Sequence, residues 1–325
     1  MSWKKNRGTI IFACVVFVFA ILTFLDFQRN KGAENLAEHE LKVLDMRESE
    51  ISEIVIKSKN PTTHLKREDG VWKMLEPVRD DTDEYAVSNL LNAITTAKVQ
   101  KAGADSAIDW KKYGLDPGVQ FDLTLEKGGK KSFAVSEKSS FDGSFYVSKD
   151  NELYLGDTSW ARIADKQPKQ LRSHLIWRNQ GEVISATVRR DQNGIIQTAV
   201  MKKSGEGWSI EPAMGLPVSS DKVREWLEAF HELRATEFSA ESPRPGDLQN
   251  FLLTKPSLTV EFSIRYEGVV SQAQWQIGQD KGEEVYVHTS ARPEIFKVTK
   301  IGLRDIRVPF ARFADPSKVM EFPIE

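Results

Sequence analysis

One stretch occurs twice in this chain and dictates how it must be built. Gly70-Val-Trp72-Lys-Met-Leu-Glu-Pro77, followed by an amphipathic pattern, returns as Gly207-Trp208-Ser-Ile-Glu-Pro212, with the tryptophans 136 residues apart. The apolar positions beyond keep that offset: Val87, Leu90, Leu91 and Ile94 fall at i, i+3, i+4 and i+7, and Val223, Trp226, Leu227 and Phe230 repeat the steps. Such spacing lays one apolar stripe along one helix face. Thr82 and Asp83 precede the first pattern and Ser219 and Ser220 the second, offering side-chain oxygens to the first unpaired amides. A repeat this long is a duplicated domain, because solenoid units span roughly 20–50 residues. The copy is imperfect, since one residue fewer separates Trp208 from Pro212 than Trp72 from Pro77.

Around these markers the pattern is that of strands. Ile51, Ile54 and Ile56 turn toward a sheet face, and 63–67 with 71–75 form a hairpin across Glu68-Asp69-Gly70, where glycine supplies positive φ. A helix over about 83–98 is followed, after Tyr113-Gly-Leu-Asp-Pro117, by the alternation Val119, Phe121, Leu123, Leu125. Further strands are expected at 131–135, 144–147 and 153–155. In the second copy the expected strands are 183–189, 195–202 and 208–210, then a helix over about 220–234, then strands at 257–264, 273–277, 285–288 and 295–298. Phe251-Leu-Leu-Thr-Lys-Pro256 stands where Tyr113-Gly-Leu-Asp-Pro117 stood, and Leu303-Arg304-Asp305 is matched to Leu171-Arg172-Ser173 as the close of each copy. Val319-Met-Glu-Phe322 is expected to be a closing C-terminal strand.

The beginning of the chain has a different character. Lys4, Lys5 and Arg7 are followed by an uncharged run from Gly8 to Leu25. As a helix this is about 27 Å long, close to the hydrocarbon thickness of a bilayer. Bulky Phe24 and Leu25 argue against a cleaved signal, and the apolar run continues past Cys14, which argues against a lipoprotein signal. The positive residues orient the N-terminus to the cytoplasm and send the rest out. The expected fold is α+β: residues 1–27 a cytoplasmic stub and transmembrane anchor, 28–40 a juxtamembrane linker, 41–173 a first repeat and 174–325 a second. Each repeat is expected to be a mainly antiparallel sheet with one principal amphipathic helix.

Chemistry is harder to find. A net charge of −2 in 325 residues argues against a nucleic-acid partner, and Cys14, the only cysteine, cannot build a disulfide or a zinc framework within one chain. Asp80, Asp81, Asp83 and Glu84 lack the glycine and distal glutamate of a calcium loop and sit where a helix start favours negative charge. His231-Glu232 lacks the second histidine of a zincin motif, as Ala235 stands there. Lys127-Gly-Gly-Lys-Lys-Ser132 is a hairpin turn and not a phosphate loop, because the first glycine of that motif is missing. Trp72, Trp208 and Trp226 occupy patterned apolar positions and read as core, whereas Trp110 and Trp160 read as freer contact residues. No metal, cofactor or catalytic residue is expected.

The apolar anchor, Ile51-x-x-Ile54-x-Ile56, Gly70-Val-Trp72 leading to Pro77, Val87-x-x-Leu90-Leu91, Tyr113-Gly-Leu115 and Phe145-Tyr-Val147 together resemble a bacterial domain of unknown function, number 4340 in the family catalogue. That resemblance implies membrane-anchored proteins encoded beside ABC transporter subunits like those of gliding-motility systems, and it supplies no catalytic residues. The expected function is therefore a non-enzymatic, periplasmic accessory or binding protein at the bacterial inner membrane, held by a single span, with protein partners in an ABC-type complex. The alternative is an envelope enzyme acting on cell-wall polymer through acidic loop residues.

Overall fold

The computed structural model describes Thr23 and residues 41–102, 108–192, 194–212 and 217–315. It divides into two compact units, Met1–Ser173 and His174–Glu325. The first contains β1 (Leu41–Lys42), β2 (Ile51–Lys57), β3 (Thr63–Glu68), β4 (Val71–Glu76) and β5 (Asp80–Asp81), then helix α1 (Glu84–Thr96). β6 (Lys98–Lys101), β7 (Val119–Leu125), β8 (Lys130–Val135), β9 (Phe145–Lys149), β10 (Glu152–Gly156) and a short helix α2 (Ala161–Ala164) follow. Antiparallel pairing joins the strands in the order β1-β6-β10-β9-β8-β7-β2-β3-β4-β5.

The second unit has β11 (Glu182–Gln192), β12 (Ile195–Ser204), β13 (Gly207–Glu211), helix α3 (Ser220–Glu232), β14 (Glu237–Ala240), β15 (Leu258–Tyr266), β16 (Val269–Ile277), β17 (Glu284–Thr289) and β18 (Arg292–Thr299). Its antiparallel sheet runs β13-β12-β11-β15-β16-β17-β18-β14. Matching β2, β3, β4, β6, β7, β8, β9 and β10 to β11 through β18 in turn gives the same strand order in both units. The duplication is thus present in the topology as well as in the sequence, and the protein is mostly β with some helix.

Local detail repeats too. The opening strands carry an irregularity at the same step, between Ile51 and Glu53 in β2 and between Val183 and Ser185 in β11. An extra residue there returns the side chains to the same face, so Ile51, Ile54 and Ile56 are buried in one unit and Val183, Ala186 and Val188 in the other. Asp83 caps α1 by accepting from the Ala86 amide at 3.0 Å, and Ser219 caps α3 by accepting from the Lys222 amide at 3.4 Å. Tyr113 meets Tyr146 edge-on with centroids 4.8 Å apart, and Phe251 meets Tyr286 likewise at 5.0 Å. The residue after each aromatic, Gly114 or Leu252, has positive φ, and the next, Leu115 or Leu253, is buried.

Each unit has its own principal core. Val87, Leu90, Leu91 and Ile94 of α1 share one with Ile54, Leu65, Met74, Phe121 and Phe133. Val223, Trp226 and Phe230 of α3 share another with Val188, Phe262, Trp275 and Phe296. Each fully buried side chain of this size contributes about 1.5–3 kcal/mol relative to leaving it exposed.

Several expectations need correction. Trp160 is fully buried, donates from its indole nitrogen to the Lys98 carbonyl at 3.0 Å and meets Phe133 edge-on, so it is a core residue and not a contact surface. Leu303-Arg304-Asp305 does not close the second copy. The amides of Asp83 and Ser219 donate to the carbonyls of Leu171 and Phe313, each at 2.9 Å, and those of Ser173 and Asp315 donate to Asp81 and Pro217, each at 2.8 Å. Phe313-Ala314-Asp315 is therefore the counterpart of Leu171-Arg172-Ser173, and each close follows the last strand of its unit, ending at Gly156 or Thr299, after a segment of nearly equal length. Strands β6 and β14, one after each principal helix, were not anticipated. The anchor run 8–25, apart from helical Thr23, and the expected strand at 319–322 lie outside the described residues. Among the described residues, no helix is long and apolar enough to cross a membrane.

Candidate functional site

The residues that mark the repeat serve the fold. Trp72, Val87, Leu91 and Val223 are buried, while Trp208 and Leu227 are half-buried at the margin of the second core. Pro77 and Pro212 each follow a glutamate at the end of the tryptophan strand. Lys4, Lys5 and Arg7 lie outside the described residues.

The acidic cluster before α1 is structural. Asp83 is the cap, Asp81 accepts from Lys73 Nζ at 2.6 Å, and Asp80 accepts from Arg172 Nε at 2.8 Å with both side chains almost fully buried. That last pair ties the helix entrance to the closing segment. In the second unit the buried pair is Arg292 with Glu294, the two being 3.0 Å apart. Among the described residues no group of three or more histidine, cysteine, aspartate or glutamate side chains is placed to hold a metal ion.

Two cavities stand out. In the first unit, one of about 790 Å³ lies along α1, lined by Tyr85, Asn89 and Thr96 together with Asp157, Arg162 and Lys166. The cavity of the second unit, about 470 Å³, is different in kind. It is lined by Arg190, Asp191, Gln192, Ser257, Leu258, Gln279, Asp280 and Arg307.

Arg190 reaches this cavity because of strand parity. Past the irregularity in β11, residues 186, 188 and 190 point to the core face, and the row Val183, Ala186, Val188 ends on an arginine that is only 6% exposed. The corresponding row of the first unit, Ile51, Ile54, Ile56, would reach Ser58 at this position, one residue past the end of β2. Opposite Arg190 stand Gln197 in β12 and Leu258 in β15. Its guanidinium lies 4.4 Å from the centroid of the Phe310 ring, a cation–π contact that satisfies one flat face and none of its N–H groups. Nε and Nη2 are enclosed and have no hydrogen-bond partner among the described residues. Burial pushes the guanidinium down to about 10, so it still carries its charge at neutral pH.

Arg307 also lines the cavity. Its Nη2 donates to Gly278 O at 2.8 Å and to Ser257 Oγ at 3.0 Å, and its Nη1 donates to Asp280. Asp280 also meets Lys300 Nζ at 3.2 Å. Burial works to raise the Asp280 carboxyl, yet Arg307 and Lys300 outweigh it and hold it below the ordinary carboxylate value. The Nε of Arg307 is a third enclosed donor without a partner among the described residues. Gly278 sits in a tight place, because a Cβ there would stand 3.1–3.3 Å from three backbone carbonyl oxygens.

Sequence pattern alone does not mark this site, because the expected strand 183–189 stops one residue short of Arg190. The available signal was the spacing 183, 186, 188, 190, which carries the inward row onto Arg190 once the extra residue is counted.

The model of a domain of unknown function, DUF4340, matches residues 72–212 and again residues 208–317. The chain belongs to this family. The two DUF4340 matches begin on Trp72 and Trp208, the residues that set the repeat offset. No curated protein and no solved structure matches the chain.

Proposed function

We propose that this DUF4340 protein is a non-catalytic binding protein of the cell envelope, anchored in the bacterial inner membrane by one span and serving an ABC-type transport complex as an extracytoplasmic accessory subunit. The observation that carries the binding reading is the second-unit cavity, whose buried unpartnered group is a guanidinium. An arginine charged at neutral pH can hold an anion, but it does not exchange protons there, as an acid–base catalyst must. The acidic residues before α1 are engaged in capping and ion pairs, which favours this reading over hydrolysis of a cell-wall polymer. Location rests on Lys4, Lys5 and Arg7 before an uncharged run, and the transporter connection rests on the family resemblance.

Two measurements test the proposal. Reporter fusions placed after Glu34 are expected to be active only outside the cytoplasm; a mature chain starting after Leu25 refutes the retained anchor. Purification of the tagged protein from solubilised membranes is expected to bring transporter subunits with it in fixed stoichiometry. Recovery of the protein alone under mild detergent refutes the accessory role.

A further inference from the structure

Two enclosed N–H donors on one arginine, with a third on the other lining arginine, are an unusual expense for a fold. A buried donor left without an acceptor is costly, and more so when it is charged, and native proteins leave few of them. The second core does not need Arg190 for packing, since Val183, Ala186 and Val188 complete the apolar row before it. What the cavity lacks is an acceptor.

The geometry of the vacant donors limits what that acceptor can be. A guanidinium presents its N–H groups in parallel pairs, which match two oxygens of one carboxylate or phosphoryl group. Charge then separates these two. The lining carries Asp191 and Asp280 beside the two arginines, and both Nη groups of Arg307 are already committed to Asp280, Ser257 and Gly278. Arg190, Arg307 and Lys300, which pairs with Asp280, set against Asp191 and Asp280 leave one positive charge, so a singly charged anion balances the site and a dianion does not. The volume of about 470 Å³ exceeds what a bare carboxylate fills and lies in the ordinary range for small-molecule sites. Apart from Leu258 the lining side chains are polar or charged, with Gln192 and Gln279 offering amides, so the rest of the ligand carries hydroxyl or amide groups rather than an alkyl chain.

We propose that the Arg190 cavity binds a small polar organic acid, with one carboxylate held by the Arg190 guanidinium and hydroxyl or amide groups facing Gln192, Gln279 and Asp191. This assignment rests on the binding reading given above, but the cavity belongs to the second unit alone, so ligand binding stands or falls independently of any transporter partner.

The test is calorimetric titration of the full-length protein, prepared in carboxylate-free buffer at fixed ionic strength. D-gluconate and D-galacturonate represent sugar acids, N-acetylglycine and acetyl-alanyl-alanine represent peptide carboxyl ends, and D-glucitol, inorganic phosphate and sulfate are the comparators. At least one carboxylate is expected to bind saturably, one per chain, and at least tenfold tighter than every comparator; which pair responds identifies the source of the carboxylate. Arg190→Met is expected to weaken that binding at least tenfold while melting at or above the wild-type temperature, because it removes an unpartnered charge. Arg190→Lys restores charge without the fork and is expected to recover only part of the affinity. Wild-type protein also reads out alone, through a melting temperature raised by the binding acid and not by glucitol. The proposal is overturned if none of the four acids binds, if phosphate or sulfate binds as tightly, or if the Arg190 variants bind the acid as the wild type does. Loss of acid binding with transporter subunits still retained would overturn the ligand and leave the accessory role standing.

Discussion

Trp226 offers the most direct test of how the second unit is held together. Its side chain is 2% exposed, touches Phe230, Phe262 and Phe313 at centroid separations of 5.1, 5.8 and 5.6 Å, and donates from Nε1 to the Ile306 carbonyl at 3.0 Å. It therefore fixes α3 both to the sheet and to the segment that closes the unit. Trp226→Ala removes the ring from a packed site, which costs about 3–5 kcal/mol. It also leaves the Ile306 carbonyl without its donor, adding about 1–3 kcal/mol unless water replaces it. Trp226→Phe keeps most of the packing and loses the hydrogen bond, so it isolates the second contribution. Each kcal/mol lowers the melting temperature by about 2–4 °C for a domain of this size, so the alanine variant is expected to melt at least ~8 °C lower and the phenylalanine variant ~2–12 °C lower. Far-ultraviolet circular dichroism gives the melt, and hydrogen exchange read on peptides from 174–315 confines the effect to this unit. An alanine variant that melts within ~3 °C of wild type refutes the placement of Trp226 as the link between helix, sheet and closing segment.

Three further outcomes follow from single contacts. Gly156→Ala would place a Cβ 2.3 Å from Cδ1 of the buried Trp160, an overpacking expected to cost about 1–3 kcal/mol; an unchanged melt would remove Trp160 from that position. Tyr154 donates to Glu152, and that hydrogen bond, aided by burial, pushes its phenol up to about 12 from the ordinary 10.0. The folded state thus favours the protonated phenol: its contribution is complete below pH 10 and is lost as pH rises toward 12. An ultraviolet titration should show one tyrosine ionising late in wild type and normally in Glu152→Gln. Glu53 is held below the ordinary carboxylate value, chiefly by its hydrogen bond with His64. Its contribution is present above that ordinary value and fades as pH falls through the lowered one, so Glu53→Gln should flatten the acid limb of a stability profile; an identical limb would refute the pairing.

What could be read from the chain follows from where the signals are local. The helices at Val87 and Val223, the hairpin at Gly70 and the alternation from Val119 carry their period within a few residues, and all appear close to their expected bounds. β6 and β14 are four residues each, come soon after a helix, and pair with β10 and β18, which lie far along the chain. Nothing periodic marks them. Trp160 is invisible for the same reason: its burial depends on the space left by Gly156 and on Lys98 and Phe133, none of them at helical or strand spacing. The wrong match at Leu303 arose because Leu-Arg recurs by letter, whereas the structural counterpart, Phe313-Ala314-Asp315, shares only a place in the hydrogen-bond pattern. The arginine site was hidden by one extra residue in β11, which reverses the facing of all that follows.

The pairing of β2 with β7, repeated as β11 with β15, has a consequence for how the molecule comes into being. On either side of this seam the strands are joined by short turns, so β2-β3-β4 and β7-β8-β9-β10 are ribbons that zip locally. The seam itself closes a loop that includes the whole helix, as when Ile56 meets Phe121 or Val188 meets Val260. Loop closure of this kind is paid before its contacts are gained, and it slows folding relative to hairpin formation. If the chain is delivered N-terminus first, each half-sheet has one bare inner edge until its helix and later strands arrive. Those two transient edges, 132 residues apart between Ile56 and Val188 and nearly alike in sequence pattern, can each accept the other unit's β7 or β15 in place of its own. Domain duplication here brings a built-in opportunity for cross-unit strand exchange.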